Sequence, residues 1–474
     1  MLFPTTEFAL FLIVVYLVHW LLNPFRTAWK LFMIAASYFF YAWWDWHFVF
    51  LLAGFSVIAQ LGALAVHRRT DPASRRTAVI IAVAAALAPL AWFKYYGFFS
   101  LSADNALGSF GLESPLPLLQ ILLPVGISFY TFMGISYIVD VYRRQLEPAG
   151  WLDTFLYLSF FPHLVAGPIV RGGELFPQIA KRRDPKHVDF TRAAYLIFAG
   201  LFKKVVLSSY LATTIVDPVF GDPGAHSSLE ILVAVYGYAV QIYADFSGYT
   251  DMAIGIALLL GFQFPQNFDR PYTARSLQDF WRRWHITLSR WLRDYLYIPL
   301  GGSRRGKLRT YLNIYITMLL GGLWHGAAWT FVIWGGIHGL GQVIGHARRD
   351  RRAELGLPEP EDTLRRRAVE RFITFHIVCL GWIFFRAGSI GGAFAMLKGL
   401  VTQWGSAPLV TLPVLGAIAL GVGVQYLPHL PAERLMSRFS RLKPAVQGGL
   451  LGGSLLIITT LGPQGVAPFI YFQF

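Results

Sequence analysis

The sequence predicts an all-α, polytopic membrane protein, and three observations carry that reading. Only 14% of its 474 residues are charged while 55% are hydrophobic, against roughly 25% charged in soluble domains. Apolar runs of the length a bilayer crossing needs, about 20 residues, recur from Thr5 to Leu461. Lys and Arg gather in the short connections between those runs, as the positive-inside rule describes. Together they predict about 11–13 spanning or re-entrant helices in a single integral-membrane domain, 1–474, with no soluble domain between them.

The first spans fall at Thr5 to Leu22, Ala28 to Trp43, Phe48 to Val66 and Ala78 to Phe99. The first lacks a basic n-region and a small-x-small cleavage site, so it is expected to stay in the chain. The connection His67 to Thr77 carries Arg68, Arg69, Arg75 and Arg76 against Asp71 alone, which assigns it to the cytoplasm. Pro117 to Ile138 returns to a second basic pair, Arg143 and Arg144. Trp151 to Ile169 is broken by Pro162, His163, Gly167 and Pro168 with basic residues on both flanks, so it is expected to dip in and come back, buried in protein. Ala193 to Ile215 crosses outward, with Lys203 and Lys204 expected to snorkel to the cytoplasmic interface.

Leu229 to Phe262 is too long for a simple span and contains Gln241, Asp245, Ser247 and Asp251. Carboxylates are costly in an apolar stretch and face a cavity or a partner; Asp245 and Asp251 are either functional or a helix tie, and the residues alone do not choose. Gln263 to Gly302 is amphipathic and dense in Arg and Trp, the character of an interfacial or re-entrant helix at a polar entrance. Tyr311 to Leu323 and Trp329 to Val343 form a helix pair joined near His325. The stretch Arg348 to Arg371, with eight arginines against six acids, is the clearest cytoplasmic segment. Three further crossings put the tail Pro463 to Phe474 outside the cytoplasm.

The net charge of +15 sits in loops beside apolar runs rather than on one amphipathic face, which argues for membrane orientation and against nucleic acid. The sole cysteine, Cys379, lies in an apolar run, so no intrachain disulfide forms. The histidines lack HxxxH or HExxH spacing, and no GK[ST] phosphate loop or G-x-S-x-G elbow is present, so neither a metal centre, nor ATP hydrolysis, nor a serine hydrolase has a motif here.

Chemistry concentrates between Arg275 and Gly345. His325, in Leu323-Trp-His-Gly-Ala327, is an imidazole among apolar neighbours, a setting that favours the neutral ring able to take a proton from a hydroxyl. The residues alone leave a general base and a helix tie both open. His285, beside Arg282 and Arg283, could orient His325, bind donor phosphates or simply sit at the interface. His338 is expected to pack. The same buried polar residues could line the path of a transporter or flippase, although no inverted repeat of broken helices supports that class.

The blocks Pro124-Val-Gly-Ile-Ser-Phe-Tyr-Thr-Phe132, Ser136-Tyr-Ile-Val-Asp-Val-Tyr142, Ala166-Gly-Pro-Ile-Val-Arg171, Gly200-Leu-Phe-Lys-Lys204, Asp245-Phe-Ser-Gly-Tyr-Thr-Asp-Met-Ala253, Phe280-Trp-Arg-Arg-Trp-His-Ile-Thr-Leu-Ser289, Arg293-Asp-Tyr-Leu-Tyr-Ile-Pro-Leu-Gly-Gly302 and Leu323-Trp-His-Gly326 span nearly the whole chain. In combination they resemble the membrane-bound O-acyltransferase superfamily, in its bacterial branch of alginate O-acetyltransferase membrane subunits. The resemblance implies helices around a central catalytic funnel, His325 as catalytic histidine and His285 as the funnel's second polar residue. The donor is expected to enter among Arg282, Arg283 and Arg304 to Arg309, whose charge suits phosphates, with Trp324, Asp245 and Asp251 expected along its tunnel. It implies acetyl-CoA as donor substrate with no bound cofactor, a periplasmic acetyltransferase partner, a polysaccharide acceptor such as an alginate-like exopolysaccharide, surrounding membrane lipid, and the bacterial inner membrane as location. Relatives that O-acylate peptidoglycan or transfer D-alanine are the alternatives within the family. The ending Phe469-Ile-Tyr-Phe-Gln-Phe474 reads as an aromatic anchor; it also resembles the F-x-Y-F-x-F ending of a small protein accompanying the D-alanyl-transferring relatives, which would make Tyr471 an acyl relay.

Overall fold

The computed structural model describes residues 1–462 except 113, 115, 120 and 429, so the tail and Tyr471 lie outside the described residues. Among the described residues every regular element is helical. Six helices among these residues are long and apolar enough to cross a membrane, or seven if the bent pair Leu412–Tyr426 and Leu430–Ser440 is one span; Thr6–Leu22, Ile127–Tyr142 and Ile390–Thr402 are shorter apolar helices. The chain is a polytopic membrane protein of all-α class. It divides into two compact units, Met1–Phe190 with Ile256–Pro265, and Thr191–Gly255 with Gln266 onward.

In the first unit the basic connection after His47–His67 is shorter than the hydropathy predicts. Asp71 accepts a hydrogen bond from the Ser74 amide and Pro72 takes the first helical position, so the next helix is Pro72–Leu90 and already contains Arg75 and Arg76. This N-terminal signal was in the sequence, masked by the arginines. A buried amide knots the unit: Gln60 donates to the Ala149 carbonyl at 2.7 Å and accepts from Tyr137 at 2.9 Å and Thr154 at 2.7 Å. Between the helices Trp151–Ser159 and Gly172–Ala180 the chain makes one helical turn, Phe161–Leu164, and is otherwise irregular; residues 160–170 are buried throughout, as non-helical backbone at membrane depth requires. His163 makes its ring hydrogen bond there with the Tyr157 carbonyl, at 2.9 Å.

The second unit is built on two close helix crossings. In the first, Phe190–Leu201 and the π-helical turn after it, Phe202–Ser208, lie against Ser228–Leu259. That helix has 32 residues, about 48 Å at 1.5 Å per residue, which explains an apolar stretch longer than one bilayer crossing. Gly200 and Gly248 face each other so closely that a Cβ on either would fall within 2.5–2.7 Å of the other's carbonyl oxygen. One turn from this crossing Lys204 meets Asp245 at 2.6 Å with both side chains 3% exposed, and Lys203 pairs with Asp251 and Ser247. Lys204 therefore does not snorkel; its partner lies on the neighbouring helix, invisible to a reading of one apolar run at a time.

The second crossing joins Lys307–His325 to Trp329–Glu354 through three residues. A Cβ at Gly322 would come within 2.2 Å of the Phe331 carbonyl, and one at Gly335 within 2.4 Å of the Met318 carbonyl. The predicted pair is thus present and extends further at both outer ends. Trp329–Glu354 runs through Arg348 to Arg352, and Leu364–Arg386 begins before Arg365, so only a short turn of the Arg348 to Arg371 segment is non-helical. In that turn Asp362 is bonded by Arg367 at 2.5 Å and Arg275 at 2.8 Å.

Two predictions follow from these charges. Removing one member of a buried pair strands the other, at a cost of about 3–5 kcal/mol; Lys204→Met is therefore expected to lower the thermal melt in detergent sharply, and Lys204→Met with Asp245→Leu to recover most of the loss. A single variant melting like wild type would show that the pair contributes nothing. Hydrogen bonds from Arg367 and then Arg275 hold the Asp362 carboxyl at about 2, below its ordinary 3.8. Its contribution is complete above the ordinary value and fades as pH falls towards 2, so Asp362→Asn is expected to flatten the melt-versus-pH curve between about pH 4 and 2. An unchanged slope there would refute the linkage.

Candidate active site

His325 ends the Lys307–His325 helix and is 2% exposed. Three aromatic rings box it: Trp324 at 4.9 Å, Trp334 at 4.9 Å and Phe385 at 5.3 Å between centroids, all steeply inclined to the imidazole. Trp334 reaches it because the glycine crossing brings the start of Trp329–Glu354 back beside the helix end. Trp324 also lies 6.1 Å from the ring of His285, so the two histidines share one aromatic neighbour.

His285 is fully buried and caps the helix Ile286–Leu292 with its backbone at φ 44°, a left-handed conformation uncommon for a residue with a side chain. Its Nδ1 is 3.2 Å from Oδ1 of Asn267. That same oxygen accepts from the Thr287 amide at 3.1 Å and the Thr287 hydroxyl at 2.8 Å. An oxygen receiving two donors is an acceptor, so Nδ1 carries the proton and donates, leaving Nε2 as the basic nitrogen. Asn267 is the residue that sequence reasoning missed. It is fully buried in a Pro- and Phe-rich connection, and its only sequence signal was a polar amide inside Phe264 to Phe268.

A cavity of about 750 Å³ is lined by Arg282, Arg293, Arg349 and His346, with Asp279, Trp281 and Met318 also in its wall. Arg282 thus faces the cavity. Arg283 does not line it; its guanidinium is tied to Asp279 at 2.8 Å and, more loosely, to Asp269 at 3.8 Å. The basic turn Arg304 to Arg309 is also absent from the wall, with Lys307 paired to Glu354. Arg293, paired with Asp294 at 2.6 Å, and Arg349 take its place. Arg349 was legible in principle, since Gln342, His346 and Arg349 share one face of a continuing helix. Asp245 and Asp251 are held in their lysine pairs and are not among the cavity's lining residues. Among the described residues no group of three or more His, Cys, Asp or Glu side chains has the arrangement to hold a metal ion.

A buried histidine whose tautomer is fixed, sharing an aromatic neighbour with a second one in an aromatic box, together with a cavity lined by three arginines, suits proton transfer to and from a substrate carrying phosphates. The sequence profile of the membrane-bound O-acyltransferase family matches residues 136–350. A probable alginate O-acetylase AlgI of Pseudomonas putida is 37% identical over 94% of this chain and 94% of its own length. The chain belongs to the membrane-bound O-acyltransferase family. This O-acyltransferase is also 40% identical to a probable alginate O-acetylase AlgI of Pseudomonas aeruginosa, over 85% of this chain and 75% of that protein. A peptidoglycan O-acetyltransferase of Helicobacter pylori is 38% identical, over 78% of this chain and 73% of that one. His285, His325, Arg282 and Trp281 all lie inside the matched region.

The acyltransferase gives Asn267 a checkable role. Asn267→Leu removes the oxygen that orients His285 and satisfies Thr287, a loss of about 1–3 kcal/mol. Acyl transfer is expected to fall roughly tenfold to a hundredfold, while Thr287→Val, which deletes one donor only, costs less. Turnover in Asn267→Leu equal to wild type would remove the orienting role.

Proposed function

We propose that this acyltransferase takes an acetyl group from cytoplasmic acetyl-CoA and delivers it across the bacterial inner membrane for O-acetylation of an extracytoplasmic polysaccharide. The observation that carries the proposal is the cation-ringed cavity of about 750 Å³ whose wall residue Trp281 packs on the aromatic box around His325. Arg282, Arg293 and Arg349 suit the phosphates of the donor, and arginine forks are matched to phosphate oxygens. The relatives named as alginate and peptidoglycan O-acetyltransferases support acetyl as the group and a polysaccharide as its destination; an alginate-like exopolysaccharide is the acceptor we favour.

In the proposed reaction His325, entering neutral, takes the proton of an acceptor hydroxyl as its oxygen attacks the thioester carbonyl. The tetrahedral intermediate collapses with breakage of the C–S bond, and the imidazolium returns its proton to the departing thiolate to give free CoA. His285, with Nδ1 held by Asn267 and its ring 6.1 Å from that of Trp324, positions the acceptor. The acceptor we favour is Tyr471 in an extracytoplasmic tail, which would hold the acetyl group as an ester until a periplasmic acetyltransferase partner removes it.

Thiol release from acetyl-CoA by the purified protein in detergent tests the reading. Wild type is expected to release CoA, His325→Ala to lose at least about a hundredfold, the scale of general-base catalysis, and intact mass to show one added acetyl group on the C-terminal peptide. Full activity in a well-folded His325→Ala removes the assigned base. Thiol release without a mass shift at Tyr471 removes the relay alone. No release even with the partner protein present would turn the donor towards a carrier-bound D-alanine, or the class towards a transporter.

A further inference from the structure

Trp281 belongs to two places at once. It lines the cation-ringed cavity, and it packs edge-on against Trp334, 5.7 Å between centroids, whose ring lies 4.9 Å from that of His325. The lining residue closest to His325 along its own helix is Met318, seven residues away, or about 10 Å. His325 is not among the lining residues; Trp281, with only 7% of its surface exposed, joins the cavity wall to it through Trp334.

One hydrogen bond sets the indole. Its Nε1–H donates to Nδ1 of His338 at 3.3 Å, and the His338 ring packs 5.4 Å from Trp281 and 4.8 Å from Trp334. With Nδ1 accepting, the neutral ring of His338 carries its proton on Nε2, and among the described residues no acceptor meets that nitrogen. A Cβ at residue 381 would lie 2.9 Å from it, so Gly381 leaves room for the ring in this pose.

We infer that the Trp281 indole, latched by His338, sets the length of the acyl group that reaches His325 and restricts it to a short one such as acetyl. A thioester whose adenosine phosphates sit among Arg282, Arg293 and Arg349 must pass its acyl end by Trp281. A longer chain needs the volume the indole fills, and each surplus methylene in a closed apolar site costs roughly tenfold or more in selectivity. His338 acts through Trp281 and is a positioning residue. This inference rests on the acyl-CoA donor proposed above.

The test compares kcat/KM for thiol release from acetyl-, butyryl- and hexanoyl-CoA by the purified full-length protein. Wild type is expected to favour acetyl-CoA. Trp281→Ala is expected to raise the hexanoyl-to-acetyl ratio by roughly tenfold or more, and Trp281→Phe, which keeps a ring should alanine not fold, to raise it less. His338→Phe keeps the ring and loses the acceptor, and is expected to move the ratio the same way; His338→Gln, which can present an oxygen to the indole, is expected to stay nearer wild type. A wild-type ratio in folded, active Trp281 and His338 variants would overturn the gate alone. Wild type that releases no thiol from any donor would overturn the donor assignment and the gate with it.

Discussion

The approach of the Lys307–His325 and Trp329–Glu354 helices at Gly322 and Gly335 is the constraint on which the site depends. Backbone set against backbone, with carbonyls within 2.2–2.4 Å of where a Cβ would stand, fixes the helices in one register. That register puts His325 at a helix end beside Trp334, and lets Met318 from one helix and His346 and Arg349 from the other line one cavity. In a bilayer the hydrophobic effect does not drive helices together, and small residues that allow close packing supply much of the association. Here those contacts also determine which side chains surround the His325 imidazole.

Much of this was legible because the signals were local. Trp324, His325 and Gly326 mark a polar residue at a helix end inside an apolar run, and the helix pair follows from periodicity and a short break. The Arg282 and Arg283 pair was legible as a basic entrance, yet adjacent residues on a helix point some 100° apart, so one faces the cavity and the other is bound by Asp279. Asn267 could not be read from the residues, since an amide 18 positions before His285 acquires its role only when a connection folds back. The ion pairs of Lys203 and Lys204 have the same character. A lysine beside an apolar run reads as snorkelling until the helix carrying its carboxylate is known.

The buried pair Lys204 and Asp245 illustrates how such a membrane body tolerates charge. Neither group alone belongs at 3% exposure, and a one-residue slip between their helices would separate them while also opposing the Gly200 and Gly248 contact. Packing and charge therefore select the same alignment, and agreement between independent local choices is what gives a fold a single favoured state.

The left-handed backbone at His285 has a consequence for how the residue is studied. A side chain there is held in a conformation that costs roughly 1–3 kcal/mol unless the surroundings enforce it. Alanine removes the imidazole but inherits the strain, whereas glycine removes both and asparagine tolerates the geometry while keeping a polar group. An alanine scan would thus mix a missing imidazole with an uncompensated backbone, and glycine beside asparagine at this one position separates conformational from chemical loss.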